Sequence, residues 1–131
     1  MKVSIITVVW NNKDTIEEAI NSVLNQTYQN IEYIVIDGNS NDGTVEIIKS
    51  FGSRISKFIS ERDDGLYDAM NKGIQIATGE IIGFINADDT INSIDCIEQI
   101  VDVFKNNDTD IVYGDKVYVD PTDTSKTVRY W

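Results

Sequence analysis

A chain of 131 residues with 41% apolar content suits one domain with one core. Its net charge of −11, from 22 acids against 11 bases, argues against a nucleic-acid backbone as the main partner. There is no His, the lone Cys96 allows no internal disulfide, and no segment approaches the roughly 20 apolar residues of a membrane span.

The chain goes directly into strand-like sequence, with no signal-peptide cleavage region. Residues 2–9 are β-branched and mostly apolar and predict a central strand, which Trp10-Asn11-Asn12 ends. Trp10 is expected to pack on the sheet; bordering a ligand is the alternative. Thr15 and Glu18 have the spacing of a capping box, and Ile16, Ala19, Ile20, Val23 and Leu24 follow with helical periodicity. After a polar connection over residues 26–30, residues 32–37 form a second predicted strand that finishes on Asp37. The turn formers at 38–43 lead into a short helix over 44–51. A third strand is predicted near Lys57-Phe58-Ile59.

Glu61-Arg62-Asp63-Asp64-Gly65 is a charged loop. Residues 66–77 predict a helix with Leu66, Ala69, Met70, Gly73, Ile74 and Ala77 on one face, and Tyr67, Met70 and Ile74 are assigned to the core. Gly73 costs about 1 kcal/mol there relative to Ala, which suggests close packing on the sheet. Asp68 and Lys72 are spaced for an i,i+4 ion pair. The run Ile81-Ile82-Gly83-Phe84-Ile85 then reads as a buried strand ending in Asn86-Ala87-Asp88-Asp89. Ile94, Ile97, Val101 and Phe104 mark a further helix, with Asn92 or Ser93 near its cap and Cys96 inert within it. Residues 110–113 are a fifth strand candidate, and 116–119 extend it or form a hairpin arm. Asp120-Pro121-Thr122-Asp123 is a turn, and residues 127–131 become apolar again.

Strands alternating with helices imply an α/β fold: a three-layer α/β/α sandwich around a mostly parallel sheet. Such sheets present ligand-binding groups at the carboxyl ends of their strands, where Asp37 and the Asp88–Asp89 pair fall. Adjacent carboxylates repel, and a hard cation such as Mg²⁺ or Mn²⁺, with substrate phosphates completing its shell, relieves that cost. A polar turn that caps the next helix is the alternative. For Asp37 it is hydrogen bonding within the 38–43 turn, and for Asp63 bonding within its loop. No G-x-G-x-x-G follows the first strand and no Walker A sequence is present, which disfavours a dinucleotide or P-loop site. A receiver-like acidic pocket would need its acid pair after the first strand, where Trp10-Asn11-Asn12 stands.

Three stretches, in this order, carry a family resemblance. Val3-Ser4-Ile5-Ile6-Thr7-Val8 with Asn11, then Ile34-Val35-Ile36-Asp37-Gly38-Asn39-Ser40-Asn41-Asp42-Gly43-Thr44, resembles the opening of family 2 glycosyltransferases with the GT-A fold. Ser60-Glu61-Arg62-Asp63-Asp64-Gly65-Leu66-Tyr67-Asp68-Ala69-Met70-Asn71-Lys72-Gly73 is similar to a bacterial subgroup of surface-polysaccharide, colanic-acid-type enzymes. Residues 77–89 complete the pattern.

The resemblance implies an enzyme that moves a sugar from a UDP- or GDP-sugar to a saccharide or lipid-linked acceptor. It implies inversion, metal dependence, and a cytoplasmic protein that works at the inner face of the membrane where its acceptor is lipid-borne. Residues 1–131 would be the nucleotide-sugar-binding portion, ending before the acceptor half. Thr7, Val9 and Asn11 would lie by the base, Asp37 would contact it, and Arg62 and Asp63 would border base and ribose. Asn86, Ala87 and Asp88 match the D-x-D position, with Asp88 the metal ligand and Asn86 standing where Asp is usual. The general base is expected beyond residue 131; Asp115 is the one late candidate. A non-catalytic nucleotide-binding or interaction module of the same fold is the alternative.

Overall fold

The computed structural model describes residues 1–120, 122–123 and 125–130, the last three by backbone alone. They fall into two compact units, Met1–Val101 and Asp102–Trp131. The first is built on strand β1 (Val3–Val9), every residue of which is buried. Its β-branched side chains suit a strand covered on both faces. Helix α1 (Ile16–Leu24) leads to strand β2 (Ile31–Asp37), which pairs parallel with β1 from Val3↔Ile31 to Val9↔Asp37. Helix α2 (Thr44–Ser50) and a 3₁₀ turn (Gly52–Arg54) lead to strand β3 (Lys57–Ser60), parallel to β2. Helix α3 (Leu66–Ile76) crosses back to strand β4 (Ile81–Phe84), parallel to β1 on its other side. The sheet order is β3-β2-β1-β4.

Handedness places the helices. The first two crossovers run one way along the sheet and the third runs back, so right-handed connections put α1 and α2 on one face and α3 on the other. The packing agrees: α1 contacts α2, and α3 lies on β1 and β2. Ile6, Val8, Ile34 and Ile36 form the core under α3 with Ala69, flanked by Met70, Ile76 and Ala77. The alternate residues Ile5, Thr7, Tyr33 and Val35 point to the opposite face. Gly73 is needed for this contact, because a Cβ there would lie 2.6 Å from Ile6 Cγ2.

Several local expectations are corrected. Tyr67 and Ile74 are 77% and 42% exposed, not core. The stripe that α3 turns to the sheet runs through Ala69 and Gly73, and residues 67 and 74, two turns apart, share an outer face. Strand β4 is an edge strand among the described residues, so Ile82 and Phe84 are about 40% exposed rather than buried. Thr15 makes no capping bond to its helix; the Asn12 carbonyl gathers the Thr15 and Ile16 N–H groups and the Thr15 hydroxyl instead.

Helix α4 (Cys96–Asn106) begins beyond Asn92 and Ser93 and leaves Ile94 outside. Its first turn is capped from outside by the buried Gln26, whose Oε1 accepts from Ile97 N–H at 3.0 Å while Nε2 donates to Ser93 O at 2.7 Å. Among the described residues no helix is long and apolar enough to cross a membrane.

In the second unit, residues 110–113 form no strand. The hairpin-arm alternative holds for 117–119: strand β5 (Val117–Val119) pairs antiparallel with strand β6 (Thr127–Tyr130). Asp120 opens the connection between them, its Oδ1 accepting from Thr122 N–H at 2.9 Å and Asp123 N–H at 3.3 Å. Pro121 of the expected turn and the terminal Trp131 lie outside the described residues.

At the amino-terminal edge of the sheet, Gly79 sits against β1. A Cβ at 79 would lie 2.7 Å from Ser4 N and 2.9 Å from Lys2 O, and strand backbone cannot move aside as a side chain can. Gly79→Ala is therefore expected to destabilise the chain by about 2 kcal/mol through overpacking. A urea midpoint equal to that of the unaltered chain would refute this.

Candidate functional site

Parallel strands bring their carboxyl ends to one edge, and there the structure has a cavity of ≈ 570 Å³, within the range of small-ligand sites. The end of β1 supplies Val8, Val9, Trp10 and Asn12. Gly38, just past β2, supplies bare backbone. The loop after β3 supplies Arg62, Asp63 and Gly65, and α3 supplies Leu66 and Ala69. The stretch after β4 supplies Asn86, Ala87 and Asp88. Six expected residues thus converge on one space: Val9, Arg62, Asp63, Asn86, Ala87 and Asp88.

Thr7, Asn11 and Asp37 do not line it. Thr7 faces the α1 side of the sheet, fully buried, with its hydroxyl 2.8 Å from Tyr33 Oη. Burial holds the Tyr33 hydroxyl up at about 12, so it stays protonated. Asn11 and Asp37 work beneath the site. Asp37 is fully buried, and its Oδ2 accepts from Ser40 N–H at 2.9 Å and the Ser60 hydroxyl at 2.8 Å. Its Oδ1 accepts from the Ser40 hydroxyl at 2.5 Å, which itself accepts from Asn11 N–H at 2.8 Å. Asn11 Oδ1 then takes Asn41 N–H at 3.0 Å, with Asn11 at φ 50. These bonds tie the ends of β1, β2 and β3 together, the turn-bonding alternative left open for Asp37.

Gly38 permits close approach from above: a Cβ there would lie 2.7 Å from Asp63 Oδ2. Asp63 also accepts Gly65 N–H at 3.0 Å, so it both bonds its own loop and faces the cavity. Asp115 is exposed, outside regular structure, and belongs to the second unit.

The donor set allows a cation in one mode. Among the described residues no three acidic, Cys or His side chains converge to form a cage. Asp88 is exposed at the cavity and bonds to no other described residue. A single open carboxylate beside space for a ligand fits Mg²⁺ or Mn²⁺ held jointly with substrate phosphates, and does not fit a metal held by protein alone. The Asn86 side chain is neutral, and its backbone carbonyl accepts Asp89 N–H at 3.0 Å in the turn that presents Asp88.

Val8, Asn12, Gly38, Gly65, Leu66 and Ala69 also line the cavity, and none of them is among the ligand contacts expected from sequence. Gly38 and Gly65 carried a legible signal, one directly after a strand and the other directly before a helix. Trp10, expected to pack on the sheet with bordering a ligand as the alternative, is 65% exposed and lines the cavity.

The chain matches the glycosyl transferase family 2 model over residues 4–131. It is 38% identical over 101 residues to the uncharacterized glycosyltransferase Rv1514c of Mycobacterium tuberculosis, covering 76% of this chain and 38% of that protein. TarS of S. aureus superposes with a TM-score of 0.73 at 25% identity, covering 81% of this chain and 20% of TarS. The mannosyltransferase PcManGT of Pyrobaculum calidifontis superposes with a TM-score of 0.74 at 24% identity, covering 95% of this chain and 37% of that one. The chain spans less than half the length of the curated relatives it matches. Its parallel sheet with helices on both faces is the GT-A arrangement of these structures. On a family match that runs through all three motif stretches, the chain belongs to glycosyl transferase family 2.

Proposed function

We propose that residues 1–131 form the donor-binding part of an inverting, metal-dependent glycosyltransferase that uses a nucleoside-diphosphate sugar and builds cell-surface polysaccharide. The observation that carries the reading is the Asp88 carboxylate, which has no partner among the described residues and faces a cavity also lined by Trp10, Leu66 and Arg62. That combination suits a ligand with a flat face and an anionic tail. Trp10 and Leu66 offer apolar area to the base. Arg62 and Asp63 border base and ribose, and Gly38 lets the ligand approach the backbone.

Asp88 would hold Mg²⁺ or Mn²⁺, which when bound supplies charge stabilisation to the departing diphosphate. Asp88 orients that charge, and the wall of Trp10 and Leu66 excludes water from one side of the donor. The acceptor, a saccharide or a lipid-linked saccharide, needs a general base, which the reading assigns to a segment beyond residue 131 rather than to Asp115. A lipid-borne acceptor would bring the protein to the cytoplasmic face of a membrane. Two structural relatives support a nucleotide-sugar ligand: TarS is seen with UDP-GlcNAc, and PcManGT with GDP-Man and Mn²⁺. The Ser60–Gly73 motif supports the surface-polysaccharide subgroup.

Calorimetric titration of this chain with UDP and with GDP, each with and without Mn²⁺, tests the proposal. One of the two is expected to bind, more tightly with Mn²⁺. No heat from either at millimolar nucleotide with Mn²⁺ would overturn it.

A further inference from the structure

One side of α3 reaches off the helix onto the loop that borders the cavity. Lys72, two turns into α3 and largely covered, donates from Nζ to the Arg62 carbonyl at 3.0 Å. The same ammonium meets Glu61 Oε1 at 3.1 Å and Asp68 Oδ2 at 3.7 Å. Asp68, one turn before it, accepts Asp64 N–H at 2.9 Å. Residues 61, 62 and 64 are therefore held from one helical stripe, while Arg62 and Asp63 remain on the cavity wall. Asp63 closes the loop through Gly65 N–H, and Gly65 takes φ 110 to enter α3.

A surface i,i+4 pair alone adds little to the stability of its own helix. The bond to the Arg62 carbonyl is different, because it spans ten residues and fixes backbone outside the helix. Burial opposes the Lys72 charge, but Glu61, Asp68 and Asp63 outweigh it and raise its pKa, so the tether stays cationic.

We infer that Lys72, with Asp68, is a positioning residue for the donor site: it orders the 61–65 loop before ligand arrives, so that Arg62 and Asp63 are already placed when the nucleotide binds. The inference rests on the donor-site reading above. Its physical content is that a loop ordered in advance does not charge its ordering entropy against binding.

The test uses the 131-residue chain in three forms: unaltered, Lys72→Met and Lys72→Arg. Two quantities are read, the affinity for the nucleotide that the unaltered chain binds with Mn²⁺ and the rate of cleavage after Arg62 by an arginine-specific protease. Lys72→Met is expected to weaken binding about fivefold to tenfold, as loop ordering is moved into the binding step. It should speed cleavage after Arg62 at an unchanged thermal midpoint, and Lys72→Arg, which keeps charge and donors, should restore both. Unchanged cleavage in Lys72→Met overturns the tether. Faster cleavage with unchanged affinity overturns the positioning role. If the unaltered chain binds neither UDP nor GDP, the donor-site reading fails, and the inference falls with it even where the protease result shows the tether.

Discussion

Replacing Asp88 with Ala is expected to abolish the Mn²⁺-dependent part of nucleotide binding and to leave the fold intact. The two halves of that expectation come from the same observation. Asp88 is exposed and bonds to no other described residue, so nothing in the core relies on it. Substitutions at such positions usually change stability by no more than about 0.5 kcal/mol. The carboxylate is also the acid that Asn86-Ala87-Asp88 delivers to the cavity, beside a neutral Asn86. On the proposed donor-site reading Asp88 is the protein's main charge on a hard cation, and its loss would leave phosphate to hold that cation alone. The measurement is calorimetry of both chains with nucleotide, with and without Mn²⁺, beside thermal melts. An Asp88→Ala chain whose binding still tightens with Mn²⁺ as much as the unaltered chain's would remove the metal role from this residue.

How far the sequence carries is clear at particular positions. The β-branched runs of β1 and β2 and the helical spacing of α1 and α3 are local signals, and the structure follows them to within a residue or two. The placing of Asp37 and Asp88 at one edge was also legible, because parallel strands joined by helices leave little choice. What failed depends on neighbours distant in sequence. Whether β4 is buried turns on what pairs with its far side, which its own apolar run does not encode. Tyr67 and Ile74 look like core by composition, and only the docking angle of α3 turns them outward. Thr7 and Asn11 sit at the right end of β1, but strand alternation and the αL turn at Asn11 aim one into the core and the other at the Ser40 loop. Gln26 read as polar connection because its partners, Ser93 and Ile97, are some seventy residues on.

The same long-range bonding gives Glu32 a structural role comparable to that of Asp37. It is 6% exposed, at the opposite end of β2 from Asp37. Its Oε1 accepts from the Ser4 hydroxyl and from Thr78 N–H, both at 2.8 Å. Its Oε2 accepts from the Thr78 hydroxyl at 2.8 Å and meets Lys57 at 3.2 Å and Lys2 at 3.5 Å. One carboxylate thus joins β1, β2, β3 and the end of α3. Burial raises its pKa, but the bonds from Thr78, Ser4 and Lys57 outweigh burial and hold it at about 2, against an ordinary 4.5. A carboxylate with a depressed folded pKa stabilises the fold fully above its ordinary value and loses that contribution as pH falls through the folded one. The window here runs from 4.5 down to about 2, and the contribution at stake is about 3 kcal/mol. Glu32→Gln keeps the shape but turns an amide donor toward groups that already donate, and is expected to lower stability at pH 7 by a similar ~3 kcal/mol. Both lysines are more than a third exposed and can return to water, so the loss lies in the accepted hydrogen bonds rather than in stranded ammonium groups. Urea unfolding of both chains from pH 7 to pH 2 reads this directly. The other acids titrate in both chains and cancel in the difference. That difference should be largest at neutral pH and shrink between pH 4.5 and 2, and a gap that stays constant across the window would mean that Glu32 is not held ionised by its partners.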